Sequence, residues 1–395
     1  MRRSEAVQSE ATCGRIRRTA SHTVGVVVVG ICAALTACQR GAPAGISLSD
    51  PCGTPVSSGA VVRVTANQPI GRIRRFRDLS AVTEPFSLGV EADSGLFIAV
   101  MPDSVLRVAR RVSTWGPDSS QIGGVDAITL RDDGTVVVVD RSSQRIVSFD
   151  RDGRVTAVIP LRPGSMAEGY AAGGGEVVAI SSRPAEKAFA TTIGELYKLD
   201  SLGRFGLSIA QFPSLARHLT SAPSSSTLLP RPLERQPIVR WSPRVGWMIG
   251  STDSLTLSFS ADARRAPVVA AGRRAPIEAG ARDSSIEAYV RFSGAQGALA
   301  MKLREFASKE LFTHRAQLQL VDEILPLSDV RIAVRRMYLC SDRQGWNIVE
   351  SPGHPARDFT VPLTFVPVAA DATGALFSER QGDTLFVRHI SLPSR

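Results

Sequence analysis

The hydrophobic pattern of the chain is clearest in one short stretch. A turn containing Asp133 and Gly134 precedes the valine run 136–139, and residues 145–149 then alternate between apolar and polar positions. A β-branched run suits a strand covered on both faces, and alternation suits a strand with one covered face. The stretch therefore predicts two antiparallel strands, closed by the Asp-rich turn 150–153.

Weaker copies of this unit recur along the chain, each with a glycine that opens the first of two strands. The glycines are Gly95, Gly134, Gly175, Gly246, Gly345 and Gly374. A unit of about 40 residues repeated in this way is the pattern of a β-propeller. We therefore predict an all-β fold, a six-bladed β-propeller over residues 61–395. An N-terminal strand near residues 61–64 is expected to complete the last blade and so protect a sheet edge.

Two stretches interrupt the repeat. Residues 214–237 are dense in Ser and Pro and predict a surface loop. Residues 283–323 predict a helical insertion, with a cap near Asp283 and one apolar stripe. The stripe comprises Leu299, Leu303 and Phe306. We expect it to cover the flank of the propeller rather than to bind a partner or a membrane.

The N-terminus resembles the signal peptide of a bacterial lipoprotein. A basic leader precedes the apolar run 24–35, which suits a signal-peptide core and is too short to span a bilayer. The run ends in Leu-Thr-Ala-Cys at residues 35–38, which resembles a lipobox, whose cysteine takes a diacylglycerol. We expect residues 1–37 to be removed, Cys38 to be lipidated, and residues 38–60 to form a flexible tether. The alternative is an ordinary secretory signal with an incidental cysteine.

Lipidation implies a location at the bacterial cell envelope, with the domain anchored to a membrane and facing the periplasm or the exterior. Gln39, not Asp, follows the cysteine; in bacteria that sort lipoproteins by this residue, that favours the outer membrane over the inner. Export also exposes thiols to oxidation. After processing only Cys52 and Cys340 remain. They predict either a disulfide or a buried Cys340 with a free Cys52.

The basic surplus of the chain does not indicate nucleic-acid binding. The formal net charge is +10 at pH 7, but arginine pairs such as Arg74-Arg75 and Arg335-Arg336 are scattered and are not interleaved with aromatic residues. Nucleic-acid binding requires a concentrated basic face. We therefore expect no nucleic-acid partner and attribute the surplus to a generally arginine-rich composition.

The unit around Gly134 resembles an NHL repeat. The matching residues run from Asp133 to Asp140, then Arg145, then residues 149–153. Residues 61–392 as a whole resemble six-bladed β-propeller lipoproteins of environmental bacteria. This resemblance implies the same fold. It also implies a structural role for Asp140, because NHL units use this aspartate with the arginine five positions later to fix their loop.

Acidic residues at the ends of predicted strands are the candidate ligand-binding groups. In a propeller, the loops after the second strands face the end of the channel where ligands usually bind. We expect Asp140, Glu350 and Glu379 around this one rim, where carboxylates could coordinate Ca²⁺, as in lactonase-like propellers. The alternative for each is a structural role, and for Asp140 it is an ion pair with Arg145.

Other catalytic patterns are missing from the sequence. It contains no Gly-x-Ser-x-Gly elbow and no nucleotide-binding glycine loop. The histidines are isolated, without the spacing of a metal site or a triad. Trp247 and Trp346 follow repeat glycines and are expected in the core rather than on a carbohydrate-stacking surface.

These observations favour a non-catalytic binding or scaffold module at a bacterial membrane, with an unidentified protein or small-molecule ligand and no resident cofactor. A second hypothesis is a metal-dependent, Ca²⁺-type hydrolase or lactonase-like enzyme with its site at the channel mouth. A third is an envelope sensor or adaptor that delivers a partner protein.

Overall fold

The chain folds mainly into antiparallel β-sheets, as the sequence predicts. The computed structural model describes residues 45–53, 59–79, 86–161, 167–182, 191–200, 202–222, 225–230, 237–252, 255–259, 268–276, 279–292, 295–311, 320–327, 331–336, 340, 343–350, 357–371 and 373–392. The predicted signal peptide and Cys38 lie outside the described residues.

The strands follow one another closely along the chain. The first half contains β1 (Gly45–Ser47), β2 (Ala60–Ala66), β3 (Ile73–Asp78), β4 (Ser87–Ala92), β5 (Gly95–Val100), β6 (Val105–Ser113), β7 (Ala127–Leu130), β8 (Val136–Asp140), β9 (Arg145–Phe149), β10 (Val155–Pro160), β11 (Ala167–Gly173), β12 (Glu176–Ser182) and β13 (Thr191–Leu199). The second half contains β14 (Phe205–Ala222), β15 (Ser225–Pro230), β16 (Pro237–Ser242), β17 (Gly246–Ser251), β18 (Leu255–Phe259), β19 (Val268–Ala271), β20 (Val321–Pro326), β21 (Ile332–Arg336), β22 (Arg343–Val349), β23 (Arg357–Pro362), β24 (Phe365–Ala370), β25 (Gly374–Gln381) and β26 (Thr384–Ser391).

Most strands lie beside their chain neighbours in the sheets, whereas β1 pairs with β19 and β2 pairs with β6 and β26. The sheet orders are β10-β9-β8-β7, β11-β12-β13-β14-β15, β1-β19-β18-β17-β16, β20-β21-β22-β23, and an eight-stranded sheet β24-β25-β26-β2-β6-β5-β4-β3. The strands β3, β7, β11, β16, β20 and β24 contact one another in that succession, and β24 contacts β3 again. These six strands, which we call the inner strands, therefore form a closed cycle.

All six predicted glycine-led hairpins are present. They are β5–β6, β8–β9, β12–β13, β17–β18, β22–β23 and β25–β26. Gly134 has a φ of 83° and Gly246 a φ of 70°, a conformation that glycine adopts without the steric cost of a Cβ. Counted outward from the inner strand, β8, β12, β17 and β25 are the second strands of their sheets, whereas β5 and β22 are third strands. The hairpins that begin with β5 and β22 therefore lie one strand further from the inner strand.

The N-terminal segment is docked onto the sheets. The sequence predicts a flexible tether for residues 38–60, whereas β1 pairs in parallel with β19 and buries Ile46 and Leu48 in the core. We call residues 45–53 the strap. The predicted N-terminal strand is confirmed, since Ala60–Val62 of β2 pair with β26, the last strand of the chain.

A buried arginine holds the strap in place. Arg336 is 2% exposed, and its guanidinium donates to the carbonyl oxygens of Ser49 at 2.9 Å and of Arg273. It also donates to Asn347 Oδ1 at 3.1 Å, and the Asn347 amide in turn donates to Ser49 Oγ at 2.9 Å. Burial lowers the pKa of Arg336. These hydrogen bonds satisfy a charge that would be costly to bury alone.

A disulfide closes the end of the strap. Cys52 and Cys340 are joined, with their Cα atoms 5.3 Å apart. Pro51 lies against Gly345, where a Cβ would come within 2.4 Å of the Pro51 ring. Of the two alternatives that the sequence left open for these cysteines, the structure contains the bridge.

The helical insertion differs from its prediction. It comprises α1 (Ala279–Phe292), α2 (Gly297–Phe306) and a π-helical turn (Ala307–Leu311). Asp283 therefore lies inside a helix rather than at its start. Leu303 and Phe306 pack in a cluster with Ile286 and Val290 of α1. The apolar stripe therefore faces the other helix, and its first member, Leu299, is exposed.

The insertion also ends earlier than predicted, because residues 321–323 belong to β20. Within the described ranges, none of the helices has the length and hydropathy needed to cross a membrane. Much of the Ser- and Pro-rich stretch 214–237, predicted to be a loop, forms the antiparallel pair β14–β15.

Candidate functional site

The carboxylate of Asp140 is used within its own loop. Oδ2 accepts a hydrogen bond from the Gly123 N–H at 3.0 Å, and Oδ1 accepts from Gly124 at 3.1 Å and Ser143 at 3.2 Å. Arg145 Nε lies 3.4 Å from Oδ2, and the Asp140 side chain is 0% exposed. The side chain therefore ties the segment before β7 to the turn after β8, which is the structural role that the NHL resemblance implies.

Glu379 is also engaged in an ion pair. Its Oε2 lies 2.5 Å from Arg388 Nε, and the two side chains are 14% and 17% exposed. The Arg388 guanidinium lies 5.5 Å from the centre of the Phe365 ring. The pair therefore links β25 to β26 and covers an aromatic core residue.

The three predicted acids do not share one rim. Glu379 pairs in register with Phe365, the first residue of the inner strand β24, and Asp140 follows Val139, which pairs with the first residue of β7. Glu350 instead follows Val349. Val349 pairs with Ile332 of β21, and Ile332 pairs with Pro326, the last residue of β20. The prediction of a common rim is wrong for Glu350, because β22 is a third strand and runs opposite to β8 and β25 relative to its inner strand.

Asp140, Glu350 and Glu379 do not come together as a metal site in the part of the chain that the structure describes. Among the described residues, one group of at least three His, Cys, Asp or Glu side chains has its ligand atoms within 4.8 Å of one another. That group consists of Asp50, Cys52 and Cys340, and its two sulfurs are joined in the disulfide.

A cavity of about 750 Å³ lies among the inner strands. All six inner strands contribute to its wall. Its volume is typical of sites for small molecules, which are about 300–1,000 Å³. The charged and aromatic residues of the wall are Arg74, Arg75, Arg77, Asp78, Asp126, Arg240, Glu323, Arg380, Phe76, Tyr170, Trp241 and Trp247.

One end of the cavity is aromatic. Several inner strands finish together there, since Thr129 of β7 donates to the carbonyl of Leu79, just after β3, and accepts from the Gly175 N–H, just after β11. Trp241 of β16 lies against the turn at Gly173, where a Cβ would come within 2.3 Å of it. We call this part of the cavity the aromatic end, and its aromatic group is the indole ring of Trp241. Glycine is needed beneath the ring because any side chain would displace it.

The opposite end carries arginines. At the start of β3, the Arg74 side chain pairs with Asp93 at 2.8 Å, and this bond lowers the pKa of Asp93. Arg380 donates to the Arg74 carbonyl at 3.1 Å. The guanidinium of Arg75 is exposed and forms no hydrogen bond or ion pair within the described part of the chain. We call Arg74, Arg75 and Arg380 the arginine end.

The remaining arginines of the wall are engaged in structural contacts. Arg77 pairs with Glu91 and donates to the Val125 and Asp126 carbonyls, which links β3 to the segment before β7. Arg240 pairs with Glu323 across β16 and β20. These bonds hold adjacent inner strands together and leave little capacity for a ligand.

Sequence reasoning did not find this cavity. It treated Arg74-Arg75 as one of several scattered arginine pairs. The available signal was the stretch 73–78, a short strand in which three of the six residues are arginines. The two tryptophans that it assigned to the core are buried as predicted, with Trp247 3% and Trp346 0% exposed.

Comparison with known proteins gives fold-level likenesses only. No protein-family model matches the chain, and no curated protein matches it. A DUF4221-family protein from Bacteroides vulgatus superposes with a TM-score of 0.43 at 9% identity, covering 87% of this chain and 96% of that one. U3-55K gives 0.41 at 10% identity, covering 86% and 100%, and the AfRom2 CNH domain gives 0.37 at 10%, covering 85% and 99%. At these values the likenesses identify neither a family nor a function.

Proposed function

We propose that this chain is a six-bladed β-propeller that binds a small molecule in its central cavity and is anchored to a bacterial envelope membrane through a lipid on Cys38. The closed cycle of inner strands supports six blades, each inner strand being followed by further strands of its sheet. In the last blade, β2 supplies the outer strand. Closure of this kind protects sheet edges from aggregation.

The observation that carries the binding function is the cavity itself. Its wall is built from every inner strand and combines apolar, aromatic and charged side chains. A pocket that brings a few polar groups together on a mostly preformed wall is the usual form of a ligand site. Rigid strands at every side give such a site little freedom to relax away from its ligand.

We expect ligand-observed NMR to detect binding that depends on this cavity. The panel contains citrate, glucose 6-phosphate, glucose, choline and spermidine, and so samples anionic, neutral and cationic groups. Val366 lines the cavity and is 59% exposed, so Val366→Trp should fill space without disturbing the core. Leu363 is 52% exposed and does not contribute to the wall, which makes Leu363→Trp the matched control.

Binding of any panel member to the wild type and to Leu363→Trp, but not to Val366→Trp, would support the proposal. If no member binds, or if every bound member binds equally well to Val366→Trp, the central cavity is not the binding site.

A separate experiment tests the anchor. We expect Cys38→Ser, expressed in a host that processes lipoproteins, to move from the membrane fraction to the soluble fraction, because it lacks the thiol that accepts the lipid. Cys13→Ser, a change within the predicted leader, is the control and should leave the distribution unchanged. Retention of Cys38→Ser in the membrane fraction would contradict lipid anchoring and favour another means of attachment.

A further inference from the structure

We infer that the ligand of the central cavity is a small molecule with an anionic group, a carboxylate or a phosphate, attached to a flat apolar body. The anionic group lies at the arginine end and the body extends toward the aromatic end. This inference rests on the proposed binding function and adds to it the chemical class of the ligand.

The wall of the cavity carries arginines whose charge is not neutralised within the described residues. The wall contains five arginines and three acidic residues. Two of the arginines, Arg77 and Arg240, are neutralised by Glu91 and Glu323, and Arg74 is neutralised by Asp93. The two arginines without a carboxylate partner within the described residues are Arg75 and Arg380.

The acids of the wall do not cancel this surplus. Glu323 is the partner of Arg240, and Asp78 has an interaction of its own. Asp126 lies 4.0 Å from Arg141, which is outside the wall, although its Oδ2 is buried and accepts no hydrogen bond within the described chain. Asp126 directly precedes β7 and so lies toward the same end of the inner strands as Arg75 and Arg380. A ligand with negative charge is therefore favoured beside these two arginines and disfavoured beside Asp126.

The guanidinium groups of Arg75 and Arg380 have N–H donors available for a ligand. Arg75 keeps all of its side-chain N–H donors unused by the described residues. Arg380 donates a hydrogen bond from Nη2 to the Arg74 carbonyl. This bond fixes the position of the guanidinium group and leaves its other N–H donors available. A guanidinium donates two parallel hydrogen bonds to a carboxylate or a phosphate, which is the strongest recognition available to a planar cation.

The opposite end of the cavity suits a flat apolar group. Trp241 lines the cavity, and its indole ring is held on the Gly173 turn. Leu325 and Pro326, at the end of β20, also line the wall. Flat apolar groups gain by stacking on such a ring beyond the area that they bury. An inorganic anion would leave this part of the cavity unused.

The inference can be tested with three probes that share one body. Indole-3-acetate, indole-3-ethanol and tryptamine carry the same indole ring with an anionic, a neutral and a cationic group. We expect isothermal titration calorimetry on the wild-type domain to give the tightest binding for indole-3-acetate and the weakest for tryptamine. Acetate alone should bind more weakly than indole-3-acetate, since it lacks the body.

The assignment to Arg75 needs its own variant. Arg75→Gln should weaken the binding of indole-3-acetate by about tenfold, the loss expected for one charged hydrogen-bonding partner. Arg63→Gln removes another exposed charge, from β2, outside the cavity wall, and should change nothing. Because neither side chain bonds to the described residues, both variants should keep the wild-type melting temperature.

The outcomes separate the two proposals. If indole-3-ethanol or tryptamine binds as tightly as indole-3-acetate and Val366→Trp abolishes that binding, the anionic class is wrong and the cavity remains a binding site. If Arg75→Gln and Arg63→Gln bind indole-3-acetate equally, the arginine end does not select the ligand. If none of these probes binds, the inference is wrong, and the earlier panel decides separately whether the binding function stands.

Discussion

A domain with both Cys52→Ser and Cys340→Ser is expected to lose about 3–5 kcal/mol of its free energy of unfolding. The disulfide joins residues separated by 288 positions, and closing so long a loop greatly restricts the unfolded chain. The folded domain should keep its structure, because Arg336 and Asn347 still hold Ser49. Equilibrium unfolding in guanidinium chloride, without reductant, measures the difference.

The reduced wild type is the matched control for this experiment. Adding dithiothreitol should lower the midpoint of the wild type to that of the double variant and leave the double variant unchanged. A double variant that unfolds at the same midpoint as the oxidised wild type would contradict the assigned contribution of the bridge.

Asp140→Asn is expected to lower the free energy of unfolding by about 3 kcal/mol, as for other buried and fully engaged charges. The carboxylate accepts backbone N–H groups from Gly123, Gly124 and Ser143 and faces Arg145. An amide replaces one acceptor oxygen with a donor, so at least one buried N–H loses its partner. The Arg145 guanidinium also loses its counter-charge.

Asp133→Asn offers a control on the adjacent turn. Asp133 also accepts a backbone hydrogen bond, from Thr135 at 2.7 Å, but its side chain is exposed. Solvent can replace the lost interaction there, so the expected loss is much smaller than that of Asp140→Asn. Equal losses for the two variants would show that burial of Asp140 is not the cause. A stable Asp140→Asn that no longer binds indole-3-acetate would assign this residue to ligand binding.

The local units of this fold were predictable, and their position within the sheets was not. Alternation and turn glycines identify the hairpins because both depend on neighbouring residues. Whether Gly345 opens a second or a third strand depends on β20, which is separated from the preceding strand by the helical insertion. That ambiguity placed Glu350 at the wrong end of its sheet.

The strap and the cavity depend on contacts between distant residues. Ile46 and Leu48 are apolar residues in a stretch otherwise rich in Gly, Pro and Ser. Their presence indicated that the stretch packs against the hydrophobic core. Their partners on β19 could not be read from local pattern. The arginine end likewise exists only because β25 reaches the start of β3 when the sheets close.

The strap and β2 also determine when folding can finish. Gly45–Ser47 pair with residues 269–271, Cys52 bonds to Cys340, and Ala60–Val62 pair with residues 387–389. Residues 63–66 of β2 pair with the nearby β6, but these other parts of the early segment must wait for partners that are synthesised much later. Contacts of such sequence separation form slowly, and an unpaired strand edge is exposed to other chains in the meantime. Protection of the nascent N-terminal segment, rather than the stability of the finished domain, is thus expected to limit the yield of folded protein.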